Sequence, residues 1–236
     1  MNHHKLDNAL ASPGRGSFGG PPVTLRMAQY LEGLSRASMR LCRTAADVGL
    51  ITPRLSVGID IDDVLYPWYD TAHEICMAAG ITNGRKPTTW APHEEYECEH
   101  QAWIDALAGP TLDGSLYAAE PFSGVQEQLG RLRTEGHYVH LVTARGAWQH
   151  SEAVRAHTAA WVDKHAIPHD SLTFAQSKAG AGSFDFFLDD HVRNYNELDA
   201  AGVNVYLHTR PWNAQVDDAR RVPTLKAFVD LVLEAA

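Results

Sequence analysis

Five short apolar runs, spaced between longer amphipathic stretches, constrain this chain more than anything else in it. They open at Val57 and cover 138–142, 172–174, 184–188 and 202–207. Each is too short for a buried helix and is rich in β-branched or aromatic residues, the pattern of strands covered on both faces. Between them lie helical patterns at 69–79, 124–135, a stretch through Ala153, Ala160 and Trp161 to His165, and 224–233. Gly80 and Gly136 stand where the first two should stop. The second carries Val125, Leu129 and Leu132 as one apolar stripe. Strands alternating with helices predict an α/β fold, a Rossmann-like five-stranded parallel sheet under right-handed crossovers. A chain of 236 residues can bury such a core as one large domain, or as one domain with a small insert.

The first run, Val57-Gly58-Ile59, leads directly into Asp60-Ile61-Asp62-Asp63. Asp is depleted inside strands, and a buried charge has to be paired or bound to a metal. Carboxylates at this place therefore suggest a site; the simpler alternative is an acidic N-capping turn. The other strands end in the same way. Thr143-Ala144-Arg145-Gly146 follows the second, Lys178 lies in a small-residue loop after the third, and Asp189-Asp190 ends the fourth. In a parallel sheet all carboxyl ends share one edge, so these residues converge where open α/β sheets bind ligands. The set supplies carboxylates for a divalent cation, and a hydroxyl and an ammonium for a phosphate. Taken singly, Thr143 reads as a strand-end hydroxyl and Lys178 as a solvated loop lysine; together they make that reading improbable.

The remaining segments are less regular. Residues 1–22, rich in Gly, Pro, Ser and Asn, read as a flexible tail without the apolar core of a secretory signal. Residues 23–54 read as a basic helical extension that docks on the domain, mediates self-association or resembles an organelle transit segment, and Met27 and Met39 leave the natural start open. Residues 66–118 break the alternation with Pro87, Pro92, an acidic run at 94–99 and several aromatics, and predict a small helical insert. Trp68, Trp90 and Trp103 there are candidates for packing a flat ligand, or for ordinary core. His73, Cys76, His93, Cys98 and His100 are ligand types, but their spacing fits no zinc pattern. A net charge of −9 argues against polymeric nucleic acid as partner. Three cysteines without a CxxC pair suit a reducing, cytoplasmic compartment, and no run is long enough to span a membrane.

The four strand-end segments resemble the signature of the haloacid dehalogenase superfamily. Asp60-Ile61-Asp62-Asp63-Val64-Leu65 is similar to its first motif, Leu141-Val142-Thr143 to its second, Lys178 to its third and Phe187-Leu188-Asp189-Asp190 to its fourth. Gly136-His137 leading to Thr143-Ala144-Arg145, then Asn194 and Arg210-Pro211-Trp212-Asn213, resemble the cytosolic-type 5'(3')-deoxyribonucleotidases within it. The resemblance spans roughly residues 55–236 and implies a phosphatase domain whose helical cap is the insert at about 66–118. It implies Asp60 as nucleophile and Asp62 as general acid and base. Mg²⁺ would be held by the Asp60 carboxylate, the Asp62 carbonyl and Asp189 or Asp190. Thr143, Ala144 and Lys178 would bind phosphate, with Trp68, Trp90 and Arg145 against the substrate; for Arg145 a simple surface ion pair is the equal alternative. One departure stands out: Asp63 occupies the position where the first motif more often has Gly.

The implied substrate is a (deoxy)nucleoside monophosphate. Another small phosphoester such as a sugar phosphate is the alternative, as is a non-catalytic partner-binding protein that uses the N-terminal helix. A homo-oligomer through that helix, and no membrane partner, complete the expectation.

Overall fold

A computed structural model describes residues 53–236, apart from Asn83, Trp148, Gln149 and Asp218. The expected tail and nearly all of the basic helical extension lie outside the described residues. The described residues open with β1 (Ser56–Ile59) and then turn into α1 (Trp68–Ala78), α2 (Pro92–Glu95), α3 (His100–Asp113) and a 3-10 turn at Ser115–Tyr117. Regular alternation begins with α4 (Val125–Thr134), β2 (Tyr138–Thr143), α5 (Ser151–Lys164) and β3 (Ser171–Phe174). It continues through β4 (Phe186–Asp189), α6 (Val192–Ala200) and β5 (Asn204–His208). A 3-10 turn at Pro211–Asn213, β6 (Arg221–Val222) and α7 (Leu225–Glu234) complete it.

The strand order is β3-β2-β1-β4-β5-β6, and every pairing is parallel. The sheet thus has six strands where the apolar pattern predicts five. The sixth is two residues long and begins with the second of a pair of arginines, so it has neither the length nor the hydrophobicity that marks a strand in sequence. It pairs with the end of β5, Leu207 with Arg221 and His208 with Val222.

Strand alternation assigns each residue to one of two cores. Val57, Ile59, Val139, Leu141, Phe186 and Leu188 pack with α4, α5 and α7 on one face. Val142, Phe187, Val205 and Leu207 pack with Tyr195 and Leu198 of α6 on the other. Gly58, central in β1, lies beside Phe187 in the register. A Cβ there would fall 2.2 Å from Phe187 Cδ2, so the absent side chain leaves room for the buried ring.

The helical segment between β1 and α4 has its own small core, in which Ala72 and Cys76 of α1 meet Tyr96, Leu107 and Leu116. Its two linkers to the sheet are tied together by one side chain. Tyr66 Oη donates to Leu116 O at 2.7 Å and accepts from Ala119 N at 3.2 Å. Among the described residues no helix is long and apolar enough to cross a membrane.

Candidate active site

The sheet reverses direction of growth at the β1–β4 seam: from β1 the chain moves outward to β2 and β3, then returns to β4 on the other side. In open α/β sheets the crevice beyond the carboxyl ends at such a seam is the binding position. Here it is lined with acid. Asp60 follows β1 and Asp189 ends β4, and their carboxylates, with that of Asp190, place oxygens within 4.8 Å of one another. All three are buried. Lys178 reaches this group from the loop after β3. Its Nζ lies 2.6 Å from Asp60 Oδ1 and 2.8 Å from Asp189 Oδ2, with the side chain 1% exposed.

Burial dominates the electrostatics. It pushes the Asp60 carboxyl up to about 7; Lys178 opposes this, while Asp189 and Asp62 add to it. Burial also raises Asp190 well above the usual carboxylate range, with Asp189 and Asp60 adding repulsion. For Lys178, burial acts downward, but Asp189 and Asp60 outweigh it and hold the ammonium charged. Burial is why Asp60 titrates high despite its ion pair, and the repulsion that one shared cation leaves among these carboxylates adds to it.

The partners of Asp189 and Asp190 differ. Asp189 accepts from His191 N and Asn194 Nδ2 on Oδ1, and from Lys178 and Asn194 on Oδ2. Asp190 accepts one side-chain bond, from Trp212 Nε1 at 2.9 Å, while Asn213 Nδ2 holds its backbone carbonyl. The oxygen-only donor set of Asp60 and Asp190, in excess of nearby cations, fits a hard divalent ion such as Mg²⁺. No other group of His, Cys, Asp or Glu comes together in this way among the described residues. The His and Cys residues of the insert do not form one: His73 Nδ1 is taken up by Tyr96 Oη at 2.7 Å.

The remaining first-motif acids separate. Asp62 turns its carboxylate to Arg145, which binds it through Nε at 2.9 and 3.1 Å and Nη2 at 2.6 Å. Asp63 adopts φ 54°, a left-handed conformation natural to Gly that Asp tolerates better than most residues. Its carboxyl accepts from Tyr69 N at 3.1 Å and is pushed up to about 8, by burial first, against that hydrogen bond. Arg210, stacked over Phe122, donates to the Asp63 carbonyl at 2.6 Å and fixes the turn from the other side.

A cavity of about 600 Å³ opens above these groups, reaching Asp60, Asp62, Asp63, Lys178 and Asp190 at its floor. Ala144 and Arg145 form part of the lining, while Thr143 is fully buried and its Oγ1 accepts from Arg145 N at 3.1 Å. Trp68 and Trp90 both line the cavity. Trp90, 40% exposed at the mouth, stacks on His191 with centroids 4.3 Å apart. Trp103, Ile104 and Leu107 of α3 and Val154 of α5 supply apolar walls that the sequence reading did not single out beyond Trp103 as an aromatic of the insert. Trp212 was visible only as part of a family-like segment; nothing in its neighbours signals a bond to Asp190.

A buried carboxylate group and lysine lie at the switch point of a parallel sheet, under a helical insert, as the resemblance to the haloacid dehalogenase superfamily implies. Solved structures agree on the fold. A protein from Haemophilus somnus described as a predicted phosphoglycolate phosphatase is 12% identical with a TM-score of 0.52, over 77% of this chain and 99% of that one. A dehalogenase is 11% identical at a TM-score of 0.50, over 77% and 98%. A haloacid dehalogenase-like protein from Bacteroides fragilis is 11% identical at 0.50, over 75% and 100%. Comparison with curated proteins by sequence gives no match. The family model of the 5' nucleotidase, deoxy (Pyrimidine), cytosolic type C proteins matches residues 54–236, and the chain belongs to that family. It is a phosphatase, a phosphomonoester hydrolase.

Proposed function

We propose that this phosphatase is Mg²⁺-dependent and acts on (deoxy)nucleoside monophosphates through an aspartyl-phosphate. The observation that carries the reading is the union of Asp60, Lys178 and Asp190 at the floor of a cavity whose walls are aromatic and aliphatic. Its volume lies within the range that holds ligands of this size. Asp60 attacks phosphorus, and the bond from phosphorus to the ester oxygen breaks as the aspartyl-phosphate forms. Asp62 gives its proton to the departing oxygen, then takes one from the water that attacks the same phosphorus. Inorganic phosphate leaves and the Asp60 carboxylate is restored. Lys178, with the Thr143 hydroxyl and the backbone at Ala144, holds phosphoryl oxygens and offsets charge in the transition state. Asp60, Asp190 and the Asp62 carbonyl would hold Mg²⁺, with Asp189 buttressing them through Lys178 and Asn194. When bound, the ion supplies charge neutralisation for the phosphoryl group. Trp68, Trp90 and the α3 wall offer flat and apolar surface to a base.

The test is phosphate release from a panel of nucleoside 5'- and 3'-monophosphates and sugar phosphates, with and without Mg²⁺. Release from deoxynucleotides that is lost with EDTA and in Asp60→Asn is the expected result. Release from sugar phosphates alone would overturn the substrate class and leave the phosphatase chemistry standing.

A further inference from the structure

Arg145 stands two residues beyond Thr143 and lines the cavity, where a ligand for substrate phosphate or sugar would be placed. Its guanidinium is committed elsewhere. It grips Asp62 through three contacts of 2.6–3.1 Å, and its side chain is 2% exposed against 29% for Asp62. The planar group is held between the ring of Tyr66 at 4.5 Å and that of Tyr117 at 4.7 Å. These two tyrosines belong to the outgoing and returning linkers of the helical insert. The backbone is anchored as well, since Arg145 N donates to Thr143 Oγ1. Arg145 cannot turn to a phosphate without giving up the fork, both ring contacts and a buried position.

The fork is also asymmetric. Asp62 Oδ1 receives both the 2.9 and the 2.6 Å bonds, whereas Oδ2 receives only the 3.1 Å one. Oδ1 is held by two bonds and Oδ2 by one longer one, and Asp62, 29% exposed at its side chain, lines the cavity. We propose that Arg145 is a positioning residue that fixes the Asp62 carboxyl by Oδ1 so that Oδ2 meets the ester oxygen, and that it does not bind substrate. Because its two flanking rings come from the insert's linkers, the assignment also ties the aim of Asp62 to the seating of the insert. An ammonium would not serve, because it lacks the planar fork that matches two carboxylate oxygens and stacks on rings. The assignment rests on the acid–base role given to Asp62 above.

The experiment compares two esters by kcat/KM, which reports the steps up to loss of the alcohol. A deoxynucleoside monophosphate needs its leaving oxygen protonated; p-nitrophenyl phosphate does not. Arg145→Gln is expected to lower kcat/KM about a hundredfold on the nucleotide, within the range for general acid catalysis, and less than about fivefold on the nitrophenyl ester. KM is expected to stay within about twofold. Asp62→Asn is expected to show the same selectivity, and the double variant to lose no more than Asp62→Asn alone, the non-additivity of residues acting as a unit. Arg145→Lys is expected to recover only part of the loss. A raised KM with losses that multiply in the double variant would make Arg145 a substrate ligand and overturn the proposal. Equal losses on both esters, with a lower urea midpoint in metal-free protein, would make it a structural residue and overturn it too. Failure of the substrate reading is separable: wild-type turnover of other alkyl phosphates but no nucleotide removes that reading, and the same cycle is then decided on the alkyl ester.

Discussion

Trp212→Phe is the sharpest probe of how the acidic floor would hold the proposed cation. The substitution deletes one interaction, the indole N–H to Asp190 Oδ2 bond at 2.9 Å, between side chains on residues 6% and 2% exposed. Phe keeps an aromatic ring against Tyr69, whose centroid lies 4.3 Å from that of Trp212. Asn213 still holds the loop through its bonds to the Asp190 and His208 carbonyls, both 2.8 Å. What is lost is the one hydrogen bond that favours the ionised form of Asp190 against the burial that raises its carboxyl, and such a bond to a charged acceptor is worth about 1.5–3 kcal/mol. At about 1.4 kcal/mol per decade that is about 10- to 100-fold in affinity, the range seen when groups supporting a metal ligand are removed. Titration calorimetry with MgCl₂ should show Kd raised by that factor. Phosphate release should need correspondingly more Mg²⁺ and return to within a few-fold of wild type at saturation. A Kd within about twofold of wild type would refute the reasoning, because it would mean that Asp190 does not depend on Trp212 to face a cation.

Two further predictions concern the frame around the site. Gly58→Ala would place a Cβ 2.2 and 2.4 Å from two carbons of the fully buried Phe187 ring, so the ring or the central strand must move; overpacking of this kind costs about 1–3 kcal/mol or more, and a melting point lowered by less than about 2 °C would contradict it. His208, buried and hydrogen-bonded through Nδ1 to the Asp63 carbonyl, is pushed down to about 4 by burial first and by the Arg210 cation second. The unfolded chain protonates this imidazole near 6.5 and the folded one resists, so this contribution is whole above pH 6.5 and lost as pH falls toward 4, by at most about 3 kcal/mol. The raised carboxyls of Asp60, Asp63 and Asp190 act in the opposite sense. The urea midpoint is therefore to be compared between wild type and His208→Gln at pH 7 and pH 5, with the variant expected to lose less on acidification.

The elements that brought the site together were legible because each depends on local pattern and on one geometric rule. An apolar run marks a strand, its end marks an edge of the sheet, and parallel strands put their ends on the same edge; Asp60, Lys178 and Asp189 meet for that reason. What the pattern does not carry is pairing between side chains far apart in sequence. The partner of Arg145 lies 83 residues away and that of Asp190 lies 22 away, and neither helix nor strand periodicity encodes such a distance. The β6 strand was missed because its ladder is supplied by β5 rather than by its own apolar content. Asp63 shows the reverse case. The sequence presents it as an extra carboxylate where Gly is more usual, and its positive φ and its bond to Tyr69 N make it part of the turn into α1 as well as of the cavity floor.

The division of charge explains why these acids can share one crevice. Asp62 is matched to Arg145, Asp60 and Asp189 divide Lys178 between them, and Asp190 has a neutral indole donor. Asp63 is held up by burial near neutrality and has the Arg210 cation close by. The one acid with no cationic partner of its own is thus Asp190, which lies within reach of Asp60 and lines the cavity. A phosphate dianion brought alone to that floor would meet carboxylates whose cations are already engaged. A divalent ion held between Asp60 and Asp190, where oxygen donors are already supplied, would offset that repulsion. On the reading proposed above, Asp60 and Asp190 would hold the cation, and Lys178 would then be left to meet the phosphoryl oxygens.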